Sequence, residues 1–243
     1  MKEKTIAIVH YNTPELTEAA IKSIRKHGGE DYKVVIFDNS DKRPFKKRMK
    51  GVKVLNNREG QIIDFAKELE KYPERDENIG CCNGCYFGSD IHMMSVQKLW
   101  ELLPDGFLLI DSDILIKKNL EWMFQEDECA VGYVHTSRGM RAKPRLAPML
   151  LWINVPKCVE GGAVFFDPNR AWALHKGSDK RNYWDTGAAL LDDIKRLKPQ
   201  CHGVAISRGM LMDYMVHLGS GSWSKNDPTI HQRWLEEHKE LWN

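Results

Sequence analysis

Short apolar runs that end in polar turns recur along this chain. Thr5 to His10 (Thr-Ile-Ala-Ile-Val-His) and Lys33 to Asp38 (Lys-Val-Val-Ile-Phe-Asp) have strand length and almost no polar interruption. That pattern belongs to strands buried on both faces, as in a parallel sheet. Between them Thr13 is a good N-cap and Pro14 a good first helical residue. Leu16, Ala20 and Ile24 then mark one helical face, and Gly28-Gly29 ends it. Strand, helix and strand form a βαβ unit, whose right-handed crossover makes the two strands parallel. Val52 to Leu55 reads as a short third strand and Ile62 to Tyr72 as a helix. Tyr72 to Gly88 is a long glycine-bearing loop, and Ser89 caps a helix running to about Leu103. Pro104-Asp105-Gly106 turns the chain into the apolar run Phe107 to Ile110.

The second half is less regular. Ala130 to Val134 reads as a strand and His135 to Pro148 as a basic, irregular stretch. Leu150 to Val155 and Ala163 to Phe166 read as strands flanking Glu160-Gly161-Gly162. Trp184-Asp185-Thr186-Gly187 opens a helix over about Ala188 to Leu197. Val204 to Ile206 and Leu211 to His217 are further strand candidates, the latter leading into a glycine-serine loop. Pro228 onward is a C-terminal helix. The pattern as a whole predicts one continuous α/β domain with a mostly parallel, Rossmann-like sheet flanked by helices and a smaller C-terminal region.

The 243 residues, 42% hydrophobic and 29% charged, are ordinary globular material. A net charge of +2 gives no general case for nucleic acid. The basic residues are uneven, however. Lys42, Arg43, Lys46, Lys47, Arg48, Lys50 and Lys53 crowd one segment, and Arg138, Arg141, Lys143 and Arg145 another. Each reads first as a solvated loop, and more sharply as a contact with phosphates or an anionic membrane surface. Lys2-Glu3-Lys4 leads straight into a strand with no signal-peptide pattern, so the six cysteines are expected as free thiols in a reducing cytosol. Cys81-Cys82-Asn83-Gly84-Cys85 is half of a zinc pattern without a matching second half.

The chemistry concentrates after Phe107 to Ile110. Asp111 and Asp113 lie two apart in extended chain and project to one side, while Ser112 points away. Ligands of open α/β sheets bind outside the carboxyl ends of the strands. Two anionic oxygens there suit Mg²⁺ or Mn²⁺ together with phosphate oxygens. The plainer alternative is a strand ending in a polar, capping turn. Asp38, at the end of the second strand, can accept from a ribose or a base N–H, or simply form a turn with Asn39-Ser40. Nothing from His10 to Pro14 matches a dinucleotide or P-loop fingerprint, which argues against a dehydrogenase and a P-loop kinase.

Taken in order, the strand before Tyr11-Asn12, the helix, the strand ending in Asp38-Asn39-Ser40 and the apolar strand ending in Asp111-Ser112-Asp113 resemble a GT-A-fold glycosyltransferase of the family 2 type or a close relative. The resemblance implies a nucleotide-sugar-binding half over residues 1–125 and an acceptor-binding half over 126–243. It implies a nucleoside diphosphate sugar donor and a saccharide or lipid-linked acceptor. The backbone around His10, Tyr11 and Asn12, with Asp38, would contact the nucleoside. Asp111 would reach the ribose or a metal-bound water, Asp113 would hold the cation, and a late histidine, His217, would complete the metal site.

Sugar transfer needs the diphosphate neutralised as the anomeric bond breaks, a task for a metal and for basic side chains such as Lys225 or Arg138 to Arg145. An inverting transfer also needs a base. The resemblance puts Asp185 on the acceptor side, beside Trp184, with Glu160 as the next candidate; an N-terminal cap is the alternative for Asp185. His92 reads as a packed histidine. The rival functions are a nucleotide- or carbohydrate-binding protein on a transferase scaffold, a sugar-nucleotide pyrophosphorylase, and a haloacid-dehalogenase-type phosphatase. The last normally opens its domain with the Asp-x-Asp motif and follows it with Gly-Thr, not Ile114-Leu115.

Overall fold

The computed structural model describes residues 3–29, 32–71, 85–136, 143–168, 185–197, 201–219, 221 and 226–243. Cys81, Cys82, Arg138, Arg141, Trp184 and Lys225 lie outside them.

The N-terminal half follows the apolar pattern. β1 (Thr5–His10), α1 (Pro14–Ser23) and β2 (Lys33–Asp38) form the βαβ unit, followed by β3 (Val52–Asn56), α2 (Phe65–Glu70), α3 (Cys85–Leu102) and β4 (Phe107–Asp111). These strands are mutually parallel, with Val9 paired to Phe37 on one side and to Asp111 on the other. The apolar runs bury both faces by strict alternation. Ile6, Ile8, Val34, Ile36, Leu108 and Ile110 join the core under Ile21 of α1 and Ile24 just beyond its end. Ala7, Val35, Phe37, Phe107 and Leu109 join the opposite core with Val96, Leu99 and Trp100 of α3. A fully buried aliphatic side chain contributes about 1.5–3 kcal/mol, so this double-faced layer fixes the register.

β5 (Ile114–Ile116), β6 (Ala130–His135), β7 (Arg145–Ile153), α4 (Val155–Gly161), α5 (Ala188–Arg196), β8 (Gly203–Ile206), α6 (Arg208–Tyr214), β9 (Met215–His217) and α7 (Pro228–Glu237) complete the order. The main sheet runs β3-β2-β1-β4-β7-β6-β8, with β7 antiparallel to both neighbours and every other pair parallel. β5 and β9 form a separate antiparallel ribbon.

Several expectations for the second half need correction. β7 begins at Arg145, inside the stretch read as irregular, and it contains Pro148. That proline is tolerated because β6 shifts register opposite it, between Gly132 and Val134, so no ladder N–H is required there. Strand β7 stops at Ile153, and 155–161 is helical: Asn154 accepts from Lys157 N and Pro156 sits in the first turn. Ala163 to Phe166 is not a strand. Leu211 to His217 is half helix, because Ser207 caps α6 by accepting from Met210 N at 3.1 Å. The helix expected over Ile62 to Tyr72 is confined to Phe65–Glu70, and α3 starts four residues before Ser89. No helix among the described residues is long and apolar enough to cross a membrane.

Candidate active site

The site is built at the carboxyl edge of β4. Asp111 ends that strand, and Ser112 turns inward, buried, with its hydroxyl 3.2 Å from Thr13 Oγ1. The chain then enters β5, whose pairing with β9 sets Ile114 opposite His217. Leu218 N–H donates to the Asp113 carbonyl at 3.1 Å and locks that register. A two-strand ribbon thus carries a histidine, 104 residues further along the chain, to Asp113: His217 Nε2 lies 3.2 Å from Asp113 Oδ1. The Asp111, Asp113 and His217 ligand atoms all lie within 4.8 Å of one another. Gly221 N–H donates to Asp113 Oδ2 at 2.9 Å, and a Cβ at residue 221 would come within 2.8 Å of Asp113 Cβ. Only glycine permits that approach.

The two carboxylates are unequal. A quarter of the Asp111 side chain is exposed, yet burial of the carboxyl and the neighbouring Asp113 push it up to about 6, against the opposing pull of His217 and Arg145. Burial also pulls Asp113 upward, but the His217 hydrogen bond and charge and the Gly221 N–H outweigh it and hold the group below the usual carboxylate range. Two oxygen donors and one imidazole are a fitting set for Mn²⁺ or Mg²⁺, with the nitrogen favouring Mn²⁺. An octahedral ion with bonds of about 2.1 Å spaces neighbouring donors by about 3 Å, within small side-chain movements of this arrangement.

A second wall comes from α3, β7 and the turn before α5. His92 Nε2 is 3.8 Å from Asp111 Oδ1, and its Nδ1 is 3.2 Å from Thr186 Oγ1. Burial, with the Arg145 charge, lowers His92 to about 4, so the ring is neutral at pH 7. Asp185 forms an ion pair with Arg145 and accepts Thr186 N–H at 2.7 Å. Its two oxygens are therefore engaged, and the N-cap of α5 falls on Gly187 rather than on Asp185. Gly187 lets the turn pass against β7: its φ is +83°, and an added Cβ would sit 2.1 Å from the Leu146 carbonyl oxygen. Glu160 is not brought to this wall. β7 pairs Ile153 with Phe107, at the start of β4, so α4 begins at the far edge of the sheet from Asp111. Glu160 is exposed there, 3.4 Å from Lys157 Nζ.

The β1 edge is mostly engaged in holding its own loops. His10 is fully buried, with Nδ1 2.8 Å from Thr17 Oγ1 and Nε2 3.3 Å from the Arg43 carbonyl, and burial lowers its pKa. Asn12 has a left-handed φ of +57°. Its side-chain oxygen accepts from Lys42 N and Arg43 N at 3.0 and 2.8 Å. Asp38 is buried and accepts Ser40 N–H on one oxygen and Phe45 N–H on the other, at 2.9 and 2.8 Å. That engages it in the turn rather than presenting it to a ligand. Tyr11, 40% exposed, is the side chain of this edge that faces solvent. Two members of the basic segment are paired to α1, Arg43 with Glu15 at 2.6 Å and Lys47 with Glu18.

A buried relay joins this edge to the C-terminus. His231, fully buried on α7, has Nδ1 2.5 Å from Glu15 Oε1 and Nε2 3.0 Å from the Gly221 carbonyl. A carbonyl only accepts, so Nε2 donates to Gly221. Arg43, Glu15, His231 and Gly221 thus form a chain ending on Asp113. Sequence reasoning missed His92, Arg145 as part of this wall, Thr186, Gly221 and the His231 relay. The glycine of the Gly-Ser loop was the one local signal; the others depend on contacts between separate segments of the chain.

No protein-family model and no curated protein matches the chain. Solved structures do. The chain is similar to mouse xyloside xylosyltransferase 1 in its apo form, with a TM-score of 0.53 at 8% identity over 84% of this chain and 85% of that one. It is similar to an active-site mutant of LgtC, with a TM-score of 0.50 at 14% identity over 82% and 72% of the two chains. GlyE of Streptococcus pneumoniae TIGR4 aligns over 84% of this chain with a TM-score of 0.43 and 11% identity; the chain spans 45% of that protein's length. The architecture is the GT-A fold of glycosyltransferases.

Proposed function

We propose that the protein is a glycosyltransferase that moves a sugar from a nucleoside diphosphate sugar to an acceptor hydroxyl with the help of one divalent cation. The observation that carries this is the meeting of Asp111, Asp113 and His217 at the carboxyl edge of β4 in a GT-A architecture. Asp111, Asp113 and His217 would hold Mn²⁺ or Mg²⁺, which as a Lewis acid neutralises the leaving diphosphate. The rest is done by the chain itself. Gly221 N–H keeps Asp113 ionised and oriented. Arg145, held by Asp185, brings a fixed positive charge to the same cleft, where charge develops on the leaving group. Tyr11 offers an aromatic face at the end of β1 for the nucleoside base, and the Asn12 turn fixes the loop over 40–43 beside it. Residues 1–125 accordingly take the donor, and 126–243, through the β7 and α5 wall, take the acceptor.

The test is release of nucleoside diphosphate from uridine and guanosine diphosphate sugars. Turnover should require Mn²⁺ or Mg²⁺ and fall at least about 100-fold in Asp113→Asn, as loss of a metal ligand does. Turnover that persists with chelator would contradict the metal role. Tight sugar-nucleotide binding without turnover, with or without an acceptor mixture, would support the non-catalytic binding protein instead.

A further inference from the structure

A second group of ligating side chains lies at the other end of the sheet. Cys129 immediately precedes β6, Cys201 stands just before β8, and Cys158 is on α4. β6 and β8 are paired, Ala130 to Gly203, so their leading cysteines arrive side by side, and α4 lays Cys158 against them. All three are buried free thiols. Their sulfurs lie within 4.8 Å of one another, and no histidine or carboxylate among the described residues joins them. The frame around them is rigid. Asn154 N–H donates to the Cys129 carbonyl at 2.9 Å, Cys129 N–H to the His202 carbonyl at 2.8 Å, and Ala163 N–H to the Cys158 carbonyl at 2.8 Å. Cys158 Sγ donates to that same Cys129 carbonyl at 3.3 Å.

One buried cysteine is ordinary hydrophobic filling. Three that converge from three separate segments supply the donor set of a structural thiolate site. We propose that Cys129, Cys158 and Cys201 form a second metal site, a buried tri-thiolate that takes Zn²⁺ and fastens α4 to the β6–β8 edge. Binding displaces the three thiol protons to solvent. Zn–S bonds of about 2.3 Å require sulfurs about 3.8–4.0 Å apart, a contraction of less than about 1 Å from the present limit. When Cys158 loses its proton, the Cys129 carbonyl regains a lone pair facing the cluster and becomes the fourth donor. Softness separates the two sites: three thiolates select zinc, whereas two carboxylates and an imidazole take Mn²⁺ or Mg²⁺.

The test is the metal content of the purified full chain, together with Cd²⁺ titration followed by the thiolate-to-cadmium charge-transfer band. Wild type and Asp113→Asn should each keep about one zinc per chain after brief chelation and show a band saturating at about one equivalent. The Cys81→Ser/Cys82→Ser/Cys85→Ser variant should keep both signals, and Cys201→Ser should lose both. A wild-type protein without zinc and without a cadmium band overturns the proposal. So do signals that vanish in the Cys81/Cys82/Cys85 variant. That variant and the wild type decide the matter even if Cys201→Ser does not fold.

Discussion

Asp111 and Asp113 stand two residues apart but play unequal parts, because only Asp113 receives His217 and the Gly221 N–H. Asp111 is left with burial and a like charge, and its carboxyl is pushed up to about 6. Its ordinary value in an unfolded chain is near 4, so the ionised group destabilises the native state above pH 6. As pH falls from about 6 to 4, the folded protein takes up this proton first and the penalty disappears. Without added metal, Asp111→Asn should therefore raise stability by about 1 kcal/mol at pH 8, with the gain fading below pH 5, while Mn²⁺ binding weakens. Denaturant melts of both proteins at pH 5 and 8 check this; a destabilised Asp111→Asn at pH 8 would contradict it. At this scale the sequence was informative where chemistry is local. The Asp-x-Asp spacing puts both carboxylates at one strand end, and the structure keeps them there. Asp38 was open between ligand and turn, and its two backbone hydrogen bonds favour the turn. His92 carried no local sign, since its neighbours at the site are Asp111 and Thr186.

Among the elements, the parallel half was legible because its strands are buried on both faces and read as continuous apolar runs. The second half was not. β7 hides behind Arg145 and Pro148, β5 and β9 are three residues each, and α6 was masked by an apolar run of strand composition. Asn154-Val155-Pro156 did carry a helix start in plain view. The ribbon of β5 and β9 and the docking of α7 on α1 have no periodic signature at all, yet they deliver His217 and His231. The relay makes α7 a support of Asp113: His231 holds Gly221 by its carbonyl while Gly221 N–H holds Asp113. His231→Ala leaves the buried Gly221 carbonyl without its donor and Glu15 with Arg43 alone. It should cost about 2 kcal/mol or more of stability and also lower Mn²⁺ affinity several-fold. Thermal melts and a Mn²⁺ titration of the variant check both; an unchanged Mn²⁺ affinity would mean that Gly221 is held by other contacts.

At the scale of the molecule, a parallel N-terminal half and a β7-centred second half meet at β4. The proposed donor site and the wall of His92, Arg145, Asp185 and Thr186 share its carboxyl edge, whereas Glu160, on α4, stands toward the other end of that strand. The fold class was readable because its first hundred residues obey simple rules of burial and crossover. The second wall was not, because Arg145, at the start of the long antiparallel β7, meets Asp185 from a separate segment of the chain. The central claim is that Asp111, Asp113 and His217 bind a cation that in turn binds a diphosphate. The most direct measurement is calorimetric titration of uridine and guanosine diphosphate into the full chain, with Mn²⁺ and with chelator, for wild type and Asp113→Asn. The account predicts that one of these nucleotides binds wild type at least about tenfold more tightly with Mn²⁺, and that Asp113→Asn loses this gain while remaining folded. Equal nucleotide affinity with Mn²⁺ and with chelator in the wild type would contradict it.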